Sequence, residues 1–328
     1  MSFVIDGSEW KFDGWTNDQI SDAIDNILER LLIAEEAGQK VWIGDDFQTR
    51  EMLDGADIWS LCSPDHPIKL RPEIAYELAA RLGSIMRYAD EELPADLLDA
   101  TDIGVNTGVL EENLDLAWAH HNVRAQKAVG CIGIKRRGIN STVSKFGIVN
   151  LHWVHDDLST LQFWRAAIDV ERDTAETLER LSVHAFPDLF FVPGVWAGLA
   201  SFSDGYTPIR SEVRRYLSVL NDLGRWIFTS PPPSLAPDDT IVAEIGASIT
   251  NQLIIDRFSY QLVDFSPEKK SVRVRDVSRR TREVAIGDRI LYCEWHGKFE
   301  RHQNRVYIHP PVAESDEKVV IAVFNRHL

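Results

Sequence analysis

The sequence predicts an α+β protein: a mainly helical N-terminal region with small antiparallel hairpins, then a C-terminal β-rich module of three or more antiparallel strands. Three observations carry this expectation. Amphipathic runs at helical spacing crowd the front of the chain, a proline-rich segment follows at 230–240, and residues 289–328 alternate with the two-residue period of strands. Helices and strands read as grouped rather than alternating, which argues against a doubly wound parallel sheet. The expected organisation is a mainly helical acidic domain over 1–229, a Pro-rich linker or rigid loop over 230–240, and a β-rich module over 241–328.

In order, residues 1–15 hold two short apolar pieces, broken by Gly7 and Gly14, that suit a small hairpin. Thr16 and Gln19 have capping-box spacing, and Ile20, Ile24, Ile27, Leu28 and Leu31 recur behind them, so a helix is predicted over 17–37 with Gly38 as its terminator. Residues 41–43 read as a strand and 45–65 as a helix broken by Gly55. Pro72 suits the first turn of a helix over 72–88, and 89–107 read as an acidic loop. A helix over 109–128 ends at Gly130. Residues 131–134 and 146–155 read as two strands, paired as a hairpin through the basic turn Lys135-Arg136-Arg137-Gly138. Asp156 or Asp157 can cap a helix over 158–171, and Asp173 one over 174–183. Further helices are expected over 192–202 and 208–221, and a helical turn near 251–258. Residues 269–282 form a basic stretch within a segment of ambiguous structure.

The chain has 328 residues, 44% apolar and 26% charged, enough for one large or two ordinary globular domains. Its net charge of −16 is uneven. Residues 257–328 carry 14 Lys+Arg against 10 Asp+Glu, a net of +4 that leaves −20 for residues 1–256. The acidic front argues against broad adhesion to nucleic acid or membrane, and leaves it as a surface for a protein partner; the basic tail admits a local anionic partner such as RNA. Three scattered cysteines, an N-terminus without an apolar core and the lack of a long apolar run point to a cytoplasmic protein with no membrane contact.

The chemistry is densest at the end. If 289–297 is one strand, Leu291, Cys293 and Trp295 share one face, and Tyr292, Glu294 and His296 the other, with Lys298 following. In the next strand Arg305, Tyr307 and His309 oppose Val306 and Ile308. Pairing through 299–304 joins the two polar sets, and a last strand over 319–324 delivers Arg326 and His327. His296, His309, Glu294 and Tyr307 are therefore the catalytic candidates, able to move protons. Lys298, Arg305, Arg326 and His327 are the substrate-binding candidates, able to hold an anion. No cofactor is implied. The competing reading is a solvated, polar face of a small antiparallel sheet.

A small terminal sheet with Lys298, Arg305, Tyr307, Arg326 and His327 on one face resembles the RelE/ParE toxin superfamily, over the C-terminal ~70 residues. In the ribonuclease members of that family, basic and aromatic side chains cleave RNA without a metal. The resemblance implies a bacterial toxin, stress or phage-defence setting, and the chain as a whole also looks bacterial. The helical hairpin that precedes the family's sheet has no clear counterpart here, and the long acidic front is foreign to it.

Other features favour plainer roles. On a strand, His152 and His155 face opposite sides, and Asp156-Asp157 serve as a helix cap. Glu294 and His296 form a metal-ligand pair by spacing, but Lys298 repels a cation, so a metal-free site ranks first. His120-His121 lie in a helix, one packed and one exposed. P-loop, dinucleotide-binding, nucleophile-elbow and zinc-protease motifs are absent. The function expected is action on RNA or another phosphate-bearing substrate at the terminal sheet. The alternative is a non-catalytic binding or assembly protein whose sheet is structural.

Overall fold

The computed structural model describes residues 2–63, 65–88, 100–106, 108–232, 234–237, 248–300 and 303–326. The chain divides into two compact units, Met1–Arg172 and Asp173–Leu328. Both mix helices and sheet, consistent with an α+β class. Among the described residues, no helix is long and apolar enough to cross a membrane.

The first unit is built on an eight-stranded mixed sheet, where the sequence suggested a mainly helical region with small antiparallel hairpins. Its strands are β1 Ser2–Ile5, β2 Lys40–Ile43, β3 Met86–Arg87, β4 Asp102–Val105, β5 Glu111–Glu112, β6 Val129–Ile132, β7 Gly138–Ser144 and β8 Gly147–Val154, in the order β3-β2-β1-β6-β8-β7-β4-β5. The first five in that order run parallel, and β7, β4 and β5 extend the sheet with antiparallel pairings. The expectation against a parallel sheet fails because its central strands β1, β2 and β6 are four residues each and mostly buried on both faces. They read as solid apolar runs (Phe3-Val4-Ile5, Val41-Trp42-Ile43) with no alternation to reveal them.

The expected hairpin over 1–15 does not form, since β1 lies between two parallel neighbours. The hairpin expected between 131–134 and 146–155 also fails: β6 and β8 are parallel, and β8 pairs instead with β7 about the turn Lys145-Phe146. The buried side of β7 carries Thr142 and Ser144, whose polarity hid the strand. Between the strands, the helix Asn17–Glu36 starts with the anticipated Thr16–Gln19 capping box. The helices Pro72–Leu82, Leu114–Arg124 and Asp157–Val170 follow, the last capped by Asp156.

The second unit holds a five-stranded sheet of β9 Leu189–Phe191, β10 Phe265–Pro267, β13 Trp295–Glu300, β14 Gln303–His309 and β15 Val319–Asn325, ordered β10-β13-β14-β15-β9. Neighbours are antiparallel except β15 and β9. A separate hairpin joins β11 Glu283–Ile286 to β12 Arg289–Tyr292. The helix Arg210–Thr229 packs on the sheet, and Tyr216 fixes it there: its hydroxyl donates to the Lys298 carbonyl (2.7 Å) and accepts from the Asp264 amide (2.9 Å). The helix Ala175–Ala185 is capped by Thr174, not Asp173. Asp173 instead accepts from the Tyr206 hydroxyl at 2.6 Å and pairs with Arg214 at 3.1 Å.

The division falls at Arg172/Asp173 rather than at 230–240, and the proline-rich segment lies inside the second unit. Arg257, on the helix Asn251–Tyr260, is fully buried. Its guanidinium donates to the carbonyls of Ile227, Ser230, Pro231 and Ser234 at 2.7–3.1 Å. One side chain thus closes the C-terminal end of the Arg210–Thr229 helix and ties down the segment behind it. Arg257→Met is expected to lower stability by about 2–4 kcal/mol, since it leaves one buried and three part-buried carbonyls without their donor, and Arg257→Lys to recover only part of that. Chemical denaturation, with limited proteolysis at 230–237, measures both.

Candidate functional site

The terminal strand pair forms as read from the sequence, with one break. The strand expected over 289–297 is interrupted at Cys293-Glu294, where the chain leaves the β11–β12 hairpin for the five-stranded sheet. The Cys293 amide donates to the Arg282 carbonyl (2.9 Å), and the Glu294 carbonyl accepts from the Glu268 amide (2.8 Å). Glu294 therefore sits outside β13, and its carboxylate pairs with Arg273 at 2.6 Å.

Within the sheet, His296 lies directly opposite Tyr307, and Lys298 opposite Arg305, so these four share one face. That face is not solvated. The β11–β12 hairpin packs over part of it, burying Tyr307 with Ile286, Leu291 and Cys293. What remains is a cleft of about 330 Å³, whose lining includes Glu268, Lys269, Arg282, His296, Lys298 and Arg305. Three of these were singled out from sequence. Glu268 and Arg282 were not, because they lie in a segment without readable periodicity; the basic run over 269–282 was their one signal.

The remaining candidates go elsewhere. Tyr307 is fully buried beneath Arg282, whose guanidinium carbon lies 5.0 Å from the ring centroid and whose Nη2 donates to the phenol oxygen at 3.4 Å. His309 donates from Nδ1 to the Pro310 carbonyl at 2.8 Å. Arg326 is exposed just past the end of β15. His327 lies outside the described residues.

The cleft is electrostatically lopsided. Glu268 Oε1 lies 3.4 Å from His296 Nδ1, 3.5 Å from Arg282 Nη2 and 4.0 Å from Arg305 Nη1. Lys298 has Asp264 at 3.5 Å. Burial, with Arg305, Lys298 and Arg282 nearby, pushes His296 down to about 3, so its imidazole is neutral at neutral pH. Three buried nitrogens, His296 Nδ1, Arg282 Nε and Arg305 Nε, have no hydrogen-bond partner among the described residues. An enclosure with surplus cations, a neutral imidazole and unfilled donors is suited to an oxyanion.

The first unit has a second charged cluster, at the carboxyl ends of β1 and β6, where the order of the parallel strands reverses. Sheets of this kind commonly hold ligands at that place. Here the space is internally satisfied. Asp6 accepts from Ser8, Arg136 (2.9 Å) and the Trp153 indole (3.0 Å). Glu9 accepts from the amides of Lys135 and Arg136 at 2.9 and 2.8 Å. Asp115, pushed up to about 6 mainly by burial, accepts from Gly7, Arg50 and the Tyr88 hydroxyl. Gly7 permits this close approach: a Cβ there would stand 2.3 Å from Arg50 Nη1 and 2.8 Å from Asp115 Oδ2, so those side chains would have to shift. Nearby in sequence, His120 and His121 are both buried, correcting the expectation that one is exposed; His120 bridges Thr142 and Ser144. Among the described residues, no group of three or more His, Cys, Asp or Glu could hold a metal ion.

The His296 ring is expected to titrate near 3 by NMR, and to move upward in Arg305→Ala, where one repelling cation is gone. Because the folded state refuses a proton that the unfolded chain accepts near 6.5, His296 destabilises the second unit as pH falls from 6.5 toward 3. Arg305→Ala narrows that window, which denaturation midpoints across the range report. Compared with known protein families, curated proteins and solved structures, the chain matches none.

Proposed function

We propose that the second unit binds a phosphate-bearing substrate, RNA or a smaller phosphate compound, in the Glu268–Arg282–His296–Arg305 cleft and acts on it without a metal. The observation that carries this reading is the convergence of Arg282, Lys298 and Arg305 on one cavity beside a neutral imidazole. In RNA cleavage, His296 accepts the proton of the 2′-hydroxyl as its oxygen bonds to phosphorus, the bond from phosphorus to the 5′-oxygen breaks, and that oxygen takes a proton from the imidazolium or from water, leaving a 2′,3′-cyclic phosphate; the three cations stabilise the charge that develops on phosphate. A bound phosphate also offsets the cations that hold His296 low, so the base strengthens when substrate arrives.

One observation favours a second reading, binding without chemistry. Glu294 is paired with Arg273 and His309 with a backbone carbonyl, so two of the four expected acid–base groups are engaged in structural contacts. Incubation with a mixed pool of single-stranded RNA and DNA, with and without EDTA, separates the two. Catalysis predicts RNA cleavage that survives EDTA, falls about a hundredfold or more in His296→Ala, and changes little in His309→Ala. Absence of cleavage in every lane sinks catalysis. Retention of labelled RNA on wild type, lost in Arg282→Ala and Arg305→Ala, then identifies the cleft as a binding site only.

A further inference from the structure

We infer that Glu268 is a built-in counter-anion of the cleft, and that an incoming phosphate group binds by displacing its carboxylate. The inference rests on the cleft being an anion site and adds how that site is kept when empty.

Glu268 is almost fully buried, yet its fit is poor. Its three nearest cationic or imidazole nitrogens stand 3.4, 3.5 and 4.0 Å from the same oxygen, Oε1. A well-made charge-assisted bond is about 2.7–2.9 Å. The same three side chains carry the unpartnered His296 Nδ1, Arg282 Nε and Arg305 Nε. A planar carboxylate on a short tether offers two oxygens in one plane. A tetrahedral oxyanion offers acceptors in several directions and matches a ring of separated donors better.

The carboxylate cannot simply be removed, because Arg282 is buried and needs a counter-charge. It can be exchanged. The Glu268 backbone is held from both sides, its amide donating to the Glu294 carbonyl (2.8 Å) and its carbonyl accepting from Arg273 Nε (3.1 Å). Displacement is therefore a rotation of one side chain with the main chain in place. Lys269, next in sequence and exposed at the lining of the cleft, leaves a cation beside the departing carboxylate.

Calorimetric titration with inorganic phosphate and, separately, sulfate tests this on wild type, Glu268→Gln and Glu268→Asp. Removing the internal competitor is expected to tighten phosphate at least tenfold in Glu268→Gln, with Glu268→Asp in between. Glu268→Gln is also expected to melt lower than wild type in chloride and to regain stability in sulfate, which replaces the missing charge. If Glu268→Gln folds only in sulfate, the inference is supported in the same way. If it folds in neither salt, Glu268→Asp decides, and an affinity equal to wild type overturns the inference. Wild type that binds phosphate while Glu268→Gln binds it no more tightly leaves the anion site standing and makes Glu268 merely structural. Failure of wild type and both variants to bind either anion overturns the anion site itself, and this inference with it.

Discussion

Arg282 is enclosed almost completely, with the Tyr307 ring 5.0 Å away and the Glu268 carboxylate 3.5 Å from one nitrogen. A guanidinium in that position cannot give up its proton, so its surroundings must supply negative charge and hydrogen-bond acceptors. Much of the local structure meets that demand. The β11–β12 hairpin folds back over the sheet, the 268–282 segment closes the side, and Glu268 is carried to the centre. The catalytic candidates read from sequence are sorted by the same demand. Tyr307 becomes a platform for Arg282, and His296, surrounded by cations, becomes a neutral imidazole.

The charged cluster of the first unit and the cleft of the second handle buried charge differently, and the difference locates the candidate site. In the first unit, Asp6, Glu9 and Asp115 each take their donors at both carboxylate oxygens, from backbone amides, Arg50, Arg136, Tyr88 and Trp153. Glycine at position 7 lets Arg50 and Asp115 approach its backbone closely. The cleft of the second unit has the reverse arrangement, with donors in excess and one ill-fitting acceptor. A fully connected network rigidifies a fold; a partly satisfied one beside a cavity is suited to an exchange of partners.

Phosphate recognition by such a cleft needs no cofactor, because guanidinium groups supply both charge and geometry. Acid–base chemistry is the more demanding claim. It rests on His296 alone, since His309 donates to its neighbouring carbonyl and Glu294 to Arg273 is an ion pair outside the cleft. Of the residues that suggested a RelE/ParE-like sheet face, Lys298 and Arg305 line the cleft, Tyr307 is buried beneath Arg282 and Arg326 lies past the end of β15.

Sequence alone determined the features that depend on neighbours in the chain. The capping box at Thr16–Gln19, a helix cap at Asp156 or Asp157, the long amphipathic helices and the antiparallel pairing of two polar-faced strands near the end all follow from local hydrogen bonds or from spacing within one or two elements. It therefore placed His296, Lys298 and Arg305 on one face. Only the tertiary structure decided the rest. The parallel strands of the first unit are joined through long crossovers, and four-residue apolar runs carry no mark of which neighbour they will choose. The proline-rich segment reads as a boundary until Arg257, more than twenty residues away, binds its carbonyls. Glu268 and Arg282 enter the cleft because the chain breaks at Cys293-Glu294 and a hairpin covers the sheet. Burial converts that polar face from a wet surface into a charged enclosure, and burial is set by the packing of distant segments rather than by any spacing along the chain.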